Sequence, residues 1–165
     1  MKLRYLSIAV LATLAALLVI PTGSSALIQN FDVKAAKKVD GTYKDGPTNA
    51  SVQSGEAKLF FWRVENLSAS DRSMIFDDAA TGDSGGDDYT IKWFKGKKPK
   101  ASRNISHDVQ TSGFEFTLKA ERRKFFTAKV KAKPGAGILC LGGQAQDDPI
   151  TTSDASYFFV NGPCT

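Results

Sequence analysis

The chain has 165 residues, with 22 basic and 17 acidic side chains, two cysteines and a single histidine. This length suits one domain with a single hydrophobic core. The net charge of +5 is mixed in sign and gives no basis for predicting a nucleic-acid-binding protein.

Residues 1–26 have the pattern of an export signal that is later cleaved. Lys2 and Arg4 give a positive start, Leu6–Ile20 is an uncharged run, and Ser24–Ala26 supplies small residues before a cut. The run is shorter than the ~20 residues that cross a bilayer comfortably, so an uncleaved membrane anchor is the less favoured alternative.

Residues 27–165 would then form the mature domain, with no transmembrane segment. Cleavage removes two of the 22 basic residues and no acidic one, which leaves 20 against 17 and a net charge of +3. We expect this domain to be secreted or held at the cell surface. Cys140 and Cys164 both lie in it, and an even pair in an oxidising compartment predicts a disulfide, with two free thiols as the alternative.

Two-residue alternation of apolar and polar side chains predicts eight or nine short strands. Turn residues separate them every 8–14 positions, and no window keeps a helical period over three turns. These features predict an all-β, antiparallel β-sandwich. In chain order the predicted segments are Phe31–Ala35, a short extended piece at Ala50–Gln53, Lys58–Asn66, Ser73–Phe76, Tyr89–Lys95, Asn104–Val109, Phe114–Lys119, Lys124–Lys133, Ile138–Gly142 and Ala155–Asn161.

The Tyr89–Lys95 segment is the one around which we expect the other strands to pack. An acidic, glycine-rich loop precedes it and a basic loop follows it. Its residues are expected to alternate between the core (Tyr89, Ile91 and Trp93) and water (Thr90, Lys92 and Lys95).

The stretch from Val52 to about Val130 resembles an immunoglobulin-like module of secreted and surface proteins of bacteria and archaea, of the kind related to cell adhesion. The residues that carry the resemblance are Val52 and Gly55, Val64-Glu65-Asn66, the strand Tyr89–Phe94 with Gly96, Asn104–Val109 and Gly113. The chain departs from the pattern at Glu121-Arg122-Arg123, where the family has a Pro-Gly turn, and in its cysteine pair. The resemblance implies an immunoglobulin-like sandwich and supplies no catalytic residues, and this fold hosts unrelated functions.

Five aspartates in the loop before Tyr89 form a weak calcium candidate, because calcium prefers several carboxylate oxygens. Their spacing does not match the D-x-[DN]-x-[DN]-G calcium loop, so a solvated acidic loop is the favoured alternative. No other cofactor is expected. The five residues are Asp77, Asp78, Asp83, Asp87 and Asp88.

Two basic stretches would form one positive face if their strands are neighbours. Such a face would attract an anionic cell-envelope polymer. The alternative is that the lysines keep the protein soluble and discourage strand edges from pairing. The residues of this predicted face are Lys92, Lys95, Lys97, Lys98, Lys129, Lys131 and Lys133.

His107 has no second histidine or free cysteine with which to build a zinc site, and no G-x-S-x-G elbow accompanies it. We therefore expect a non-enzymatic binding or structural module that acts at the cell surface or outside it. Its partner would be an anionic envelope polymer or another surface protein. Two alternatives remain, a small secreted hydrolase that uses a carboxylate pair and a self-assembling extracellular fibre subunit.

Overall fold

A computed structural model of the protein describes residues 30–79 and 86–164, so the predicted export signal lies outside the described residues. Nine strands, one short α-helix and two short 3-10 helices form in these ranges, and none of the helices is long and apolar enough to cross a membrane. The strands are β1 (Phe31–Ala36), β2 (Thr48–Ala50), β3 (Ala57–Asn66), β4 (Arg72–Asp77), β5 (Tyr89–Lys95), β6 (Phe114–Leu118), β7 (Arg123–Ala132), β8 (Leu139–Asp147) and β9 (Ser153–Val160). The α-helix, α1, spans Ser106–Thr111, and the 3-10 helices span Gly86–Asp88 and Ala101–Arg103.

The strands form two sheets packed face to face. One sheet has four strands in the order β1-β3-β7-β5, and the other has five in the order β2-β9-β8-β4-β6. All neighbours are antiparallel except β2 and β9, which run parallel. The prediction of an all-β sandwich is confirmed.

The core lies between the sheets and is rich in aromatic rings. Phe60, Trp62 and Val64 point inward from β3 with at most 2% of each exposed, as their alternation predicts. The Trp62 ring lies 4.9 Å from that of Trp93 and 5.1 Å from that of Phe158 on the opposite sheet. Its indole N–H donates to the carbonyl of Ser156 at 2.9 Å, so a buried polar group keeps its partner.

The strand order is immunoglobulin-like with one departure. The strands β1, β3, β7 and β5 occupy the places of A, B, E and D, and β9, β8 and β4 occupy those of G, F and C. After β4 the chain first crosses to the four-stranded sheet for β5 and only then returns for β6 beside β4. In an immunoglobulin variable domain the strand next to C comes before D.

Asn104–Val109 was predicted to be a strand, and this prediction is wrong. The chain forms α1 over Ser106–Thr111, which packs against β5 and β4. The Asn104 side chain accepts bonds from the backbone N–H and hydroxyl of Ser106, and this local turn starts the helix. Ile105 and Val109, four residues apart, are the two positions that are buried there.

The strand Tyr89–Lys95 has the predicted bounds but not the predicted place. It is the edge strand of the four-stranded sheet and pairs in register only with β7. The strand with two partners over most of its length is β7, which lies between β3 and β5.

The eighth strand extends beyond the predicted Ile138–Gly142, running from Leu139 to Asp147. Gly143 lies in its interior, where an added Cβ would come within 2.7 Å of the Trp62 ring and 2.9 Å of the Phe76 ring. The glycine therefore allows close packing of a central strand and does not end it.

Residues that carried the family resemblance hold turns together. The Asn66 side chain is 1% exposed and donates to the carbonyls of Ser70, Leu118 and Lys119. Where the family has Pro-Gly, Glu121 takes the left-handed conformation with φ 53°, so an ordinary residue makes the turn before β7.

Cys140 and Cys164 form the predicted disulfide, with their Cα atoms 5.8 Å apart. Cys140 lies on β8, and Cys164 follows the end of β9. The bridge therefore joins the C-terminal tail to the strand that precedes β9.

A candidate anion-binding face

The outer surface of the four-stranded sheet carries a group of lysines that the sequence placed in two separate stretches. Lys92 projects from β5, and Lys129 and Lys131 project from β7. These positions alternate with core residues, so their side chains point away from the sandwich and are exposed. We call Lys92, Lys129 and Lys131 the lysine triad.

The pairing of β5 with β7 brings the triad together. Lys92 is directly opposite Lys129, and Thr90 is opposite Lys131. These four side chains line a shallow cleft of about 170 Å³. None of the ion pairs in the described part of the chain involves a triad lysine.

Like charges directly opposite each other on a sheet destabilise it. Two lysines in register, neither of which forms an ion pair with a described residue, therefore raise the local positive potential at a cost to the fold. An anion that binds in the cleft would offset this repulsion.

Lys95 does not join this surface, although it was predicted to do so. Lys95 is two residues from Trp93 on β5, so both side chains lie on the inner side of the sheet, away from the triad. The Lys95 ammonium lies 6.0 Å from the centre of the Phe114 ring. There it neighbours Lys124, which lies 4.5 Å from the Phe116 ring. Burial and the nearby Lys95 charge both lower the pKa of the Lys124 ammonium.

The remaining predicted lysines have different surroundings. Lys97 lies 4.4 Å from the centre of the Phe125 ring, on the same outer face as the triad. Lys98 is exposed in the turn after β5. Lys133 donates to the carbonyl of Asp87 and so holds the 3-10 helix that precedes β5.

An aromatic strip borders the triad, and it was only partly visible in the sequence. Phe61, Phe94 and Phe125 all point to the outer side of the four-stranded sheet. Tyr43 covers Phe125 with its ring 5.8 Å away, and the Arg63 guanidinium lies 5.3 Å from the Tyr43 ring. The signal for this strip is that these phenylalanines are out of phase with the core residues of their own strands.

The aspartates of the acidic loop that the structure describes lie in two places. Asp77 is the last residue of β4 and accepts a bond from Gln146, and burial raises the pKa of Asp78, the next residue, to about 6. Asp88 accepts the backbone N–H of Gly137. Asp83 lies outside the described residues.

Within the described residues no group of three or more histidine, cysteine, aspartate or glutamate side chains is placed to hold a metal ion. We expect the thermal unfolding midpoint of the protein to be the same in millimolar calcium and in excess chelator. Differential scanning calorimetry checks this, because a ligand that binds only the folded state raises the midpoint. A calcium-dependent rise that Asp77→Asn and Asp87→Asn abolish would identify the acidic loop as a calcium site.

His107 is exposed on α1. Its backbone carbonyl accepts the hydroxyl of Thr111 one turn later. The absence of enzymatic activity stays a prediction.

No protein-family model matches the chain, and no curated protein matches its sequence. Among solved structures, a family 123 glycoside hydrolase from Clostridium perfringens is similar, with a TM-score of 0.47 and 10% identity. The match covers 79% of this chain and 27% of the hydrolase, so this chain spans about a quarter of that protein's length.

A PapD-like domain of human CEP192 has a TM-score of 0.42 and 7% identity over 82% of this chain and 87% of the domain. The C-terminal domain of the Streptococcus agalactiae AgI/II polypeptide BspA has a TM-score of 0.39 and 12% identity, over 80% of this chain and 49% of the BspA chain. These distant likenesses say nothing of ligand or activity.

Proposed function

We propose that the protein is an exported, non-enzymatic β-sandwich module that binds an anionic polymer of the cell envelope through the lysine triad. The observation that supports this proposal is the in-register pair of Lys92 and Lys129, extended by Lys131, with no acidic partner among the described residues.

The spacing of the triad suits a repeating ligand better than a single small anion. Lys129 and Lys131 are two residues apart on one strand, about 6.6 Å along its axis. Lys92 lies one strand away, at a Cα distance of about 5.5 Å from Lys129. A polymer with negative groups every few ångströms contacts all three ammonium groups in their extended positions, whereas a small ion requires the three stems to converge on one point against their mutual repulsion.

Lysine also suits this task on a flat surface. Its ammonium is a point charge on a flexible stem, so it follows the varied positions of charges along a mobile polymer. The interaction is expected to be weak per contact and sensitive to salt, because exposed charges are screened within about 8–10 Å at physiological ionic strength.

At low salt, we expect the double variant Lys92→Glu/Lys129→Glu to bind isolated cell envelope with an affinity lower by about tenfold or more. The reason is that each pair of unit charges at contact in water is worth about 1 kcal/mol. A pull-down of the purified protein with isolated envelope, at low and high salt, measures this loss.

The matched control is Lys37→Glu/Lys38→Glu, which makes the same change in net charge. Lys37 and Lys38 follow β1, at the edge of the sheet opposite β5, and are exposed. The proposal predicts that this control binds envelope nearly as well as the unaltered protein. Equal losses in both variants would show an effect of net charge alone, and absent binding at low salt would end the proposal.

A further inference from the structure

A second surface, distinct from the lysine triad, lies at the opposite edge of the four-stranded sheet. Strand β1 pairs with β3 only from Phe61 to Asn66. The first part of β3, Ala57–Phe60, pairs with β7 on one side, and no described strand pairs with it on the other. The first four residues of β3, about 13 Å of strand, therefore have an open edge.

The hydrogen-bond pattern identifies which peptide groups face this open edge. The N–H and C=O groups of Ala35 bond to Lys44, on the side of β1 away from β3. The N–H and C=O groups of the next residue, Ala36, therefore point towards β3, and those of its partner Phe61 point towards β1. Peptide groups alternate in direction along a strand. The N–H and C=O groups of Ala57 and Leu59 therefore point in the same direction as those of Phe61, towards the place that β1 has left.

A cavity of about 920 Å³ lies along this edge. Its far wall is Asn49–Ser51, which includes part of β2, the outermost strand of the five-stranded sheet. The cavity thus occupies the seam between the two sheets, where one sheet has an unpaired backbone and the other ends. We call this space the seam groove.

The walls of the seam groove are apolar on both sides of the open edge. Leu59 and Phe61 contribute from the outer side of β3, and Phe60 with Ala50 contribute from the inner side. A strand added here would place apolar contacts against both of its faces. The groove therefore fits a short run of apolar residues better than an alternating segment.

One end of the seam groove is basic. Lys37 and Lys38 line it and are exposed, and neither takes part in an ion pair in the described ranges. The third lysine, Lys58, donates to the carbonyl of Ser51 at 2.7 Å and pairs with Glu56 at 3.6 Å. The unneutralised charge therefore lies at the Lys37–Lys38 end.

We propose that the seam groove binds an extended segment of a partner protein, consisting of three or four apolar residues followed by acidic residues at the Lys37–Lys38 end. The segment would pair with the free N–H and C=O groups of Ala57 and Leu59 and extend the sheet beside β3. Main-chain bonds give affinity in this kind of strand addition, and the pockets give specificity. The unpaired edge favours a peptide over a lipid, because an acyl chain leaves the peptide groups without partners.

The first test measures amide hydrogen exchange of the purified protein, residue by residue, by NMR. The Leu59 amide should exchange far faster than those of Phe60 and Trp62, although all three lie within one strand. A Leu59 amide as slow as its neighbours would overturn the proposal, because the edge would then already be paired.

The second test is selection from a library of random seven-residue peptides displayed on phage. We expect enrichment of peptides with an apolar run next to aspartate or glutamate, and synthetic versions of them should slow exchange of the Leu59 amide. Selection of no common pattern, or peptides that bind without protecting Leu59, would contradict the proposal. Protection that depends on protein concentration without peptide would point to a second copy of the chain and overturn the assignment to a partner.

Variants separate the backbone and charge contributions. Leu59→Pro removes the outward N–H without removing a bond to β7, and it should weaken the selected peptides about tenfold or more, since an unmade bond leaves a polar group unpaired. Lys37→Glu/Lys38→Glu should weaken acidic peptides and strengthen versions with lysine in place of the acids.

The control is Lys98→Glu/Lys100→Glu in the exposed loop after β5, which makes the same change in net charge away from the seam groove and should bind the peptides unchanged. A loss of peptide binding in this control, or none in Lys37→Glu/Lys38→Glu, would overturn the assignment to the seam groove. Because the envelope pull-down uses the triad and the peptide selection does not, failure of one proposal leaves the other standing.

Discussion

Replacing Asp147 by alanine is expected to lower the free energy of unfolding by about 3 kcal/mol, because it leaves a partly buried guanidinium without its partner. Asp147 is 5% exposed and accepts two bonds from Arg72, at 2.9 and 2.6 Å. It also accepts the hydroxyls of Thr151 and Thr152. One carboxylate therefore joins β4 to the end of β8 and to the turn that follows it.

Asp71 provides a control with the same residue type and the same distance to its cation. The Asp71–Lys119 pair also measures 2.6 Å, but its side chains are 47% and 73% exposed, against 7% and 19% for Asp147 and Arg72. Exposed ion pairs contribute little. Urea unfolding should therefore show a much smaller change for Asp71→Ala, and equal changes in the two variants would contradict the role of burial.

The loss at Asp147 should also depend on pH. Burial raises the pKa of this carboxyl, but the bonds from Arg72, Thr152 and Thr151 lower it more, so the pKa lies below its usual value. A carboxyl of this kind adds stability above its unfolded pKa and loses it as the pH falls through the folded pKa. The difference between the unaltered protein and Asp147→Ala should be full at neutral pH and shrink below about pH 4.

The strands were predictable because each has one face in the core. On β7 the inward residues Phe126, Ala128 and Val130 are fully buried and alternate with Thr127, Lys129 and Lys131. Such alternation identifies a strand and its inward face. It does not show where the strand lies in the sheet, because central and edge strands alternate alike, and this is why Tyr89–Lys95 was given too central a place.

Two further errors concern short segments of the chain. The helix α1 buries only Val109, next to the buried Ile105 that precedes the helix, and its six residues are too few for a helical period to emerge. Gly142 ends the predicted segment but lies inside β8, where an added Cβ would come within 2.4 Å of the Ala79 carbonyl oxygen. Both outcomes depend on contacts with residues distant in the chain.

The lysine face was predictable in outline and not in detail. Its formation depends on β5 lying beside β7, which the sequence offered only as a condition. Once that register is known, the alternation of side chains places Lys92 on the outer face of β5 and Lys95 on the inner face, although both lie on one strand. The seam groove had no sequence signal, because it arises where β1 ends before β3 does.

Removal of the disulfide is the second change for which we expect a large effect. The double variant Cys140→Ala/Cys164→Ala should lower the free energy of unfolding by roughly 3–4 kcal/mol in the chain-entropy model. The bridge has a sequence separation of 24 and closes a ring of 25 residues, and opening the ring gives the unfolded chain more conformations. Alanine is the suitable replacement because Cys140 is 6% exposed and a serine there would bury a hydroxyl.

The unaltered protein in reductant is the matched control, because it loses the ring and keeps both sulfur atoms. Its urea midpoint should fall nearly as far as that of the alanine variant, and any remaining difference measures the loss of sulfur packing. Strand β9 also keeps its eight-residue ladder with β8. Amide exchange in β9 should therefore quicken only in step with global unfolding. If β9 alone exchanged faster and the urea midpoint held, the bridge would act as a local clamp on the C-terminus and the chain-entropy account would be wrong.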